Sequence, residues 1–347
     1  MKILILNTCS TLNRGDAAIV LGQIRLLQKI CPGADITLTS KTPGQDRAFY
    51  DPLGVEVLPP FTPALSSYRG RGRKLSEGAR TLFAVGDKRR LLRALRQADL
   101  VLSCGGGYFY SYRGLLPGTT FWQNVVHAYL AAALHKPLLF LPQSFGPFAS
   151  SLARRGVRNL LERGSVLHVF AREEISYRLL REMVGPAVQA RLSLCPDMAF
   201  YLAANGFGPT ARDGTPGAER PTLVMNLRPW AFPESRDPAA RRESYMQAML
   251  AAAHHFVRHY GGQVVVVPQA LGPDPAEDDR AICQEFCRRA RCLPAAAHLV
   301  HYSEPETSSL TGYLSLLSGA KLLVGTRLHS CILALLGGVP AISIGYQ

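Results

Sequence analysis

Arg327 and His329 lie two residues apart in the segment GTRLHS, and both are residue types that act on anions and protons. A guanidinium holds a phosphate or carboxylate through two parallel hydrogen bonds. An imidazole exchanges a proton near neutral pH. The same pair also fits a structural explanation, in which the arginine pairs with a carboxylate of the protein and the histidine caps a turn. The spacing leaves both interpretations open.

The residues around this pair predict a strand, a tight turn and a helix. The apolar run Leu322–Val324 stops at Gly325, and the apolar residues within Leu328–Leu336 have helical spacing. The sequence GGVP that follows is suited to end the helix. Arg327 and His329 are therefore expected where the carboxyl end of a parallel strand meets the amino end of a helix. Backbone amides and the helix dipole favour an anion there.

The rest of the chain predicts an α/β protein with two Rossmann-like domains. Short apolar runs alternate with helical periods, which is the pattern of a mostly parallel sheet. We expect an amino-terminal domain over residues 1–204, a glycine- and proline-rich linker over 205–221, and a carboxyl-terminal domain over 222–347. Two such domains facing a cleft would place ligands at the carboxyl ends of their strands.

Composition indicates a globular protein of the cytoplasm. No part of the sequence approaches the ~20 consecutive apolar residues that a membrane-spanning helix needs. The amino terminus, MKILILNTCS, is predicted to be a first core strand, because its apolar part is too short for a signal peptide. The eight cysteines carry no secretory context, so we expect them to be reduced.

More than half of the net charge of +14 lies between Arg69 and Arg96. This segment contains ten basic residues and two acidic residues, Glu77 and Asp87, which leaves eight positive charges in excess. The segment lacks the interleaved aromatic residues that stack on bases, so we expect no nucleic-acid partner. A membrane surface or a lipid diphosphate acceptor is one interpretation. A solvated surface is the other.

Polar and glycine-rich motifs follow several strands of the first predicted domain. In the segment NRGD, Asp16 either caps the next helix or serves an acceptor hydroxyl as ligand or base. The triple glycine 105–107 would let backbone amides approach a ligand, and the tyrosines after it could stack on a sugar. A triple glycine alone is a weak signal. For Arg172 and Asp197, a mutual ion pair and a ligand contact stay equally open.

Two further motifs belong to the second predicted domain. Arg228 follows the strand Thr222–Asn226, which neighbours the strand before Arg327 in a doubly wound order. Two facing guanidinium groups would hold a small anion with two or three charges. The acidic run Asp274–Asp279 lies behind a proline, where helix capping and the helix dipole explain it without any function.

The order of the motifs resembles the polysaccharide pyruvyl transferase family. The motifs are NRGDAA, GGG, PQSFGPF, AREEIS, PDMAF, NLR, VVVPQ and VGTRLHSCILALLGGVPAISIGY, and they span almost the whole chain. The resemblance implies a GT-B-like arrangement of two domains and phosphoenolpyruvate as the donor. It implies a reaction that adds a pyruvate ketal across two sugar hydroxyls and releases phosphate.

The resemblance also implies roles for residues. Arg327 and Arg228 would bind the donor, with Leu328 among the substrate contacts, and His329 would be the general acid. Asp16, and more remotely Asp197, would accept hydroxyl protons. No metal or cofactor is needed, because arginines can neutralise the leaving phosphate. The remaining substrate-binding candidates are Asn13, Gly105, Gly106, Gly107 and Arg172.

The chain departs from the family pattern at three places. Ser318–Lys321 stands where family members often carry an aspartate, and the triple glycine continues as YFYSYRG. The sequence stops at Gln347, directly after a core strand, so we expect a truncated chain or a member without the final helix of GT-B folds.

The expected partners are phosphoenolpyruvate and a saccharide acceptor, with a lipid-linked acceptor at the inner membrane face as the further expectation. A sugar-nucleotide glycosyltransferase and a non-catalytic anion-binding module of polysaccharide assembly are the alternatives.

Overall fold

The chain groups into two compact units. The computed structural model describes residues 1–62, 85–112, 117–203, 220–292, 298–304 and 310–345. The first unit comprises Met1–Thr11 and Asp16–Tyr201, and the second comprises Leu12–Gly15 and Leu202–Gln347. Most of the predicted linker, up to residue 219, lies outside the described residues, so the linker stays a prediction. The same holds for the chain end after residue 345.

The first unit is built on a parallel sheet. Its strands are β1 Lys2–Thr8, β2 Asp35–Ser40, β3 Glu56–Leu58, β4 Leu100–Ser103, β5 Gly106–Ser111, β6 Leu138–Phe148, β7 Val166–Ala171 and β8 Leu192–Leu194. Across the described residues the order is β3-β2-β1-β4-β6-β7-β8, and β5 pairs with the second half of β6. Six of the seven residues of β1 are buried, because helices cover both faces of such a sheet.

The second unit has a smaller parallel sheet. Its strands are β9 Thr222–Asn226, β10 Gln263–Val266, β11 Val300–Tyr302, β12 Leu322–Gly325 and β13 Ala341–Ser343. Within the described part they lie in the order β11-β10-β9-β12-β13. A separate core of apolar residues, among them Leu223, Met225, Phe286 and Val264, packs against this sheet. The predicted α/β class with parallel sheets is confirmed.

Helices connect most of the strands. They are Arg14–Ile30, Pro43–Tyr50, Val85–Gln97, Thr119–Ala133, Ser151–Leu161, Glu174–Met183, Pro186–Gln189, Phe200–Ala203, Pro238–Tyr260, Arg280–Arg291, Leu310–Ser318 and Leu328–Leu336, with a 3₁₀ turn at Asp51–Leu53. The helix Ser151–Leu161 is amphipathic, since it buries Ala153, Val157 and Leu160 on one face. Its cap, Ser150, accepts a hydrogen bond from the N–H of Ala153. In the described ranges, no helix combines the length and apolar character needed to cross a bilayer.

One strand was not predicted. The sequence predicted no strand at β5, yet Gly106 pairs with Gln143 and Ser111 with Phe148. The register shifts twice along this pairing, and such bulges accommodate residues that a regular ladder excludes. The sheet therefore continues past Ser103 at its carboxyl edge.

The described part of the basic segment is a helix with a charged outer side. In Val85–Gln97 the side chains of Leu91 and Leu95 are buried, and Arg90 pairs with Glu56 at 2.9 Å. Residues 63–84 lie outside the described residues. This helix fits the interpretation of a solvated surface, and contact with a membrane stays a prediction.

His127 is a buried histidine that the first unit holds in its neutral form. Its Nε2 accepts a hydrogen bond from the backbone N–H of Phe61 at 2.8 Å. Nδ1 therefore carries the proton and donates to Oδ1 of Asn7 at 3.0 Å. Burial lowers the pKa of His127 to about 4. A second proton would have to displace the N–H of Phe61.

We expect the first unit to lose stability as the pH falls from 6.5 to 4. In this window the unfolded chain binds a proton at His127 and the folded chain does not, so acid favours unfolding. The full pKa shift of His127 corresponds to a loss of about 3 kcal/mol in the free energy of unfolding. Urea unfolding, followed by Trp122 fluorescence in a Trp230→Phe background, measures this change.

His127→Asn should make the stability depend less steeply on pH across this window. The matched control is His135→Asn, because His135 lies in the same unit and is exposed. It should keep the wild-type slope. The same slope in His127→Asn would show that another group causes the acid sensitivity.

Candidate functional site

The turn after β12 lies at the carboxyl edge of the second sheet. β12 pairs with β9, so the segments that follow these strands start side by side, as predicted. Oδ1 of Asn226 accepts a hydrogen bond from the backbone N–H of Arg327 at 3.2 Å, and its Nδ2 donates to the carbonyl of Val267 at 3.0 Å. One asparagine therefore joins the ends of three adjacent strands. Leu328, the first residue of the next helix, is 52% exposed.

A carboxylate of the protein engages Arg327. Nη2 and Nε of Arg327 donate to Oδ1 of Asp279 at 2.7 and 3.2 Å, and Nη2 also donates to the carbonyl of Glu277 at 2.6 Å. The Asp279 side chain is fully buried, and that of Arg327 is 7% exposed. Of the two interpretations that the sequence left open, the structure contains the ion pair. Donor binding by Arg327 stays a prediction.

The interpretation of Asp274–Asp279 by helix preferences alone is wrong for Asp279. This residue precedes the helix Arg280–Arg291 but makes no capping bond with its side chain. Its carboxylate accepts from the backbone N–H groups of Gln269 and Ala270, at 3.2 and 3.0 Å, as well as from the guanidinium. Burial raises the pKa of the Asp279 carboxyl, and these hydrogen bonds act in the opposite direction. Asp279 therefore anchors the carboxyl edge of the sheet.

Arg228 follows β9 and is the second arginine at this edge. Its guanidinium carbon lies 4.9 Å from the centre of the Trp230 ring, in a cation–π contact. Nη2 of Arg228 is 3.9 Å from Oε1 of Glu277, which is the outer limit of ion pairing. The Arg228 side chain is 17% exposed, so solvent reaches it more readily than it reaches Arg327.

The segment Leu12–Gly15 lies against His329. Oδ1 of Asn13 accepts a hydrogen bond from the N–H of Gly15 at 3.1 Å and so caps the helix that begins at Arg14. A Cβ atom on Gly15 would lie only 2.4 Å from Cβ of His329, so no larger residue fits there. The fold therefore brings together two predicted site residues, Asn13 and His329, that are far apart in the sequence.

The capping alternative for Asp16 is wrong. Asn13 takes the cap position, and Asp16 lies within the first turn of the helix, where the helix dipole favours an acidic residue. Asp16 is half-buried and groups with the first unit. Its role as a base stays a prediction.

The packing of the first unit accounts for its three consecutive glycines. A Cβ atom on Gly105 would lie 2.6 Å from the carbonyl oxygen of Pro142, and one on Gly107 would lie 3.2 Å from Nη2 of Arg172. Gly106 has a φ of 130°, which favours glycine. Gly106 and Gly107 begin β5, and Gly105 lies in the connection before it. Their contact with a substrate stays a prediction.

Arg172 forms the ion pair with Asp197 that the sequence suggested as one alternative. Nη1 of Arg172 lies 2.9 Å from Oδ2 of Asp197, and its Nε donates to Oγ of Ser144 at 2.7 Å. Both charged side chains are largely buried. The mutual ion pair is confirmed, and a ligand contact of Arg172 stays a prediction.

Comparison with known proteins decides the family. The family model described as polysaccharide pyruvyl transferase matches residues 13–347. The chain belongs to the polysaccharide pyruvyl transferase family. It is also similar to the amylovoran biosynthesis protein AmsJ of Erwinia amylovora. The two are 24% identical over 376 residues, which cover 100% of this chain and 84% of AmsJ. The resemblance found in the motifs is confirmed.

Solved structures support the GT-B-like fold of this pyruvyl transferase family member. The UDP-GlcNAc 2-epimerase of Methanocaldococcus jannaschii is 14% identical, with a TM-score of 0.57 over 99% of this chain and 83% of the epimerase. The enzyme of Neisseria meningitidis bound to UDP-GlcNAc is 14% identical, with a TM-score of 0.56 over 99% and 82% of the two chains. At these identities the likeness concerns the fold alone.

Two charged residues of this family member were missed by sequence reasoning. Asp279 was treated as part of an acidic helix start. Arg14 was passed over within NRGD, although its side chain is only 1% exposed. Nη1 of Arg14 donates to the carbonyl of Pro268 at 2.8 Å, and its guanidinium lies 5.2 Å from the centre of the Tyr313 ring. Burial lowers the pKa of Arg14. The position of Arg14 in the sequence, directly after the helix-capping residue Asn13, was the signal that could have identified it.

Proposed function

We propose that the protein transfers the pyruvyl group of phosphoenolpyruvate to a saccharide and forms a pyruvate ketal. The observation that carries this proposal is the edge of the second sheet, where His329 packs on Gly15 and Arg228 follows the adjacent strand. An anion with a phosphate and a carboxylate needs at least one accessible cation, and enol protonation needs an acid. Membership of the pyruvyl transferase family adds the transferred group.

The proposed reaction balances without a cofactor. The imidazolium of His329 gives a proton to the methylene carbon of phosphoenolpyruvate, which becomes a methyl group, and positive charge develops on the neighbouring carbon. A sugar hydroxyl bonds to that carbon and loses its proton to a base, for which Asp16 is the candidate. The bond from carbon to the phosphate oxygen then breaks, phosphate leaves, and a second hydroxyl closes the ketal and releases its proton.

Arg228 is the proposed principal contact for the donor anion. Stacking on Trp230 holds the guanidinium plane, and a planar guanidinium can bind a phosphate or carboxylate through two parallel hydrogen bonds. The amino end of Leu328–Leu336 supports the same charge through its dipole. Arg327 contributes mainly through position, because Asp279 already balances its charge.

The proposed acceptor is a saccharide, and its contacts are assigned to the first unit. Tyr110 and Tyr112 stand on one face of β5 and its end, with ring centres 4.7 Å apart. Tyr112 is exposed. Aromatic rings that combine an apolar face with a hydroxyl suit the faces and edges of a sugar. A lipid-linked acceptor at the inner membrane face belongs to this proposal, as does a cytoplasmic location.

The function is tested by incubating the protein with phosphoenolpyruvate and candidate glycans, free and lipid-linked. We expect release of one phosphate for each ketal formed, with the ketal methyl group detected by NMR. Omission of the acceptor is the control and should abolish phosphate release. If no glycan gives phosphate release or a ketal, the proposal is contradicted. Thermal stabilisation by a nucleotide sugar, and none by phosphoenolpyruvate, would favour a glycosyltransferase instead.

A further inference from the structure

Gln269 is a buried amide whose two ends contact the segments on both sides of His329. It follows β10 in the motif VVVPQ, and its side chain is 1% exposed. Nε2 of Gln269 donates to Oδ1 of Asn13 at 3.1 Å. Oε1 accepts a hydrogen bond from the hydroxyl of Ser330, the residue after His329. One side chain thus links the NRGD segment to the helix that carries the histidine.

The direction of these hydrogen bonds is fixed. Oε1 of Gln269 can only accept, so Ser330 donates to it, and Tyr313, 3.0 Å from Ser330, donates in turn to the serine oxygen. Burial raises the pKa of Tyr313, which keeps its proton in place. At the other end, Oδ1 of Asn13 already accepts from a backbone N–H. Only a donor at Nε2 of Gln269 satisfies this arrangement.

The same amide lies beside the contact between Gly15 and His329. A Cβ atom on Gly15 would lie 2.4 Å from Cβ of His329 and 2.8 Å from Nε2 of Gln269. The amide, the glycine and the histidine therefore share one closely packed space, and a displacement of Asn13 moves Gly15 against the imidazole.

We propose that Gln269 is a positioning residue that fixes the imidazole of His329 for proton transfer. This inference rests on the proposed function, in which His329 is the acid. Gln269 does not touch the reacting atoms. It acts through Asn13 and Gly15 on one side and through Ser330 on the other.

Gln269→Glu gives this role a pH-dependent signature. A protonated carboxyl group has almost the shape of the amide and donates to Asn13 as the amide does. The ionised carboxylate has no proton to donate and faces the acceptor oxygen of Asn13. The variant should therefore place His329 correctly at low pH and lose this placement as the pH rises through the pKa of the new carboxyl group.

The experiment compares kcat against pH for the wild type, Gln269→Glu and Gln263→Glu. Gln263 is the matched control, because it starts the same strand, β10, and its amide donates to the hydroxyl of Thr222 at 3.0 Å. We expect kcat of Gln269→Glu to approach that of the wild type at low pH. It should fall about tenfold to a hundredfold below the wild type at higher pH, since small displacements cost this much. KM for phosphoenolpyruvate should stay unchanged, and Gln263→Glu should follow the wild type.

Two outcomes of this comparison would overturn the proposal. A ratio of kcat between Gln269→Glu and wild type that is the same at every pH would indicate a structural role only. A ratio of one at every pH would indicate no role. If Gln269→Glu does not fold, Ser330→Ala removes the other hydrogen bond without adding a charge. It should lower kcat with unchanged affinity for phosphoenolpyruvate, and a wild-type kcat would contradict the proposal.

Failure of the proposed function is recognised separately, because the wild type itself would then release no phosphate. In that case NMR titration of the His329 ring resonances tests the placement directly, with His329→Gln used for assignment. Gln269→Glu should show an additional pH-dependent shift of these resonances that Gln263→Glu lacks. Identical titrations would overturn the inference.

Discussion

His329→Gln is expected to lower kcat for pyruvyl transfer by about two to four orders of magnitude, which is the usual contribution of a general acid. Glutamine keeps the Cβ and Cγ atoms that pack on Gly15. It cannot deliver a proton to the methylene carbon. Binding of phosphoenolpyruvate should persist, because Arg228 is unchanged. Phosphate release gives kcat, and calorimetry gives the affinity.

His301→Gln is the control for this substitution. His301 is an exposed histidine in β11 of the same sheet, and its replacement should leave kcat at the wild-type value. If His329→Gln retained wild-type kcat, the assignment of the acid would be wrong. A loss of phosphoenolpyruvate binding with little change in kcat would instead make His329 a binding residue.

Asp279→Ala is expected to lower the free energy of unfolding of the second unit by about 3–5 kcal/mol. The substitution leaves the guanidinium of Arg327 largely buried and without the carboxylate that it contacts at 2.7 Å. It also removes the acceptor for the N–H groups of Gln269 and Ala270. Urea unfolding followed by Trp230 fluorescence, in a Trp122→Phe background, reports on this unit alone.

A control on an exposed ion pair tests whether burial of the Asp279–Arg327 pair causes this loss of stability. Glu243 pairs with Arg289 at the same distance of 2.7 Å, but on the surface, so Glu243→Ala should change the stability very little. In the double variant Asp279→Ala, Arg327→Met, part of the loss should be recovered, because neither charge of the buried pair is left. Equal effects of Asp279→Ala and Glu243→Ala would show that the buried pair does not stabilise this edge.

The strands around the site could be predicted because their signal is local. Apolar runs bounded by glycine and proline defined β9, β12 and the helix Leu328–Leu336, and the doubly wound order then placed Arg228 beside the Arg327 turn. Parallel sheets buried on both faces leave little freedom in such patterns. The ordered motifs are also local signals in the sequence, and they were enough to identify the family.

The partners of the site residues could not be predicted, because they depend on contacts between distant segments. Asp279 and Arg327 are 48 positions apart, and Gln269 and Asn13 are 256 apart. Nothing in the acidic run distinguishes Asp279 from its neighbours until the fold buries it. The strand β5 was missed for a related reason, since its pairing with β6 overrides the turn preference of its glycines.

Calorimetric titration with phosphoenolpyruvate tests the central claim most directly. The wild type should bind at one site, and Arg228→Gln should bind about tenfold to a hundredfold more weakly, because hydrogen bonds to a charged group are lost. Arg228 is the informative arginine, since a change at Arg327 would also disturb the pair with Asp279. A wild type that does not bind phosphoenolpyruvate, or an Arg228→Gln variant that binds it equally well, would contradict the proposed donor site.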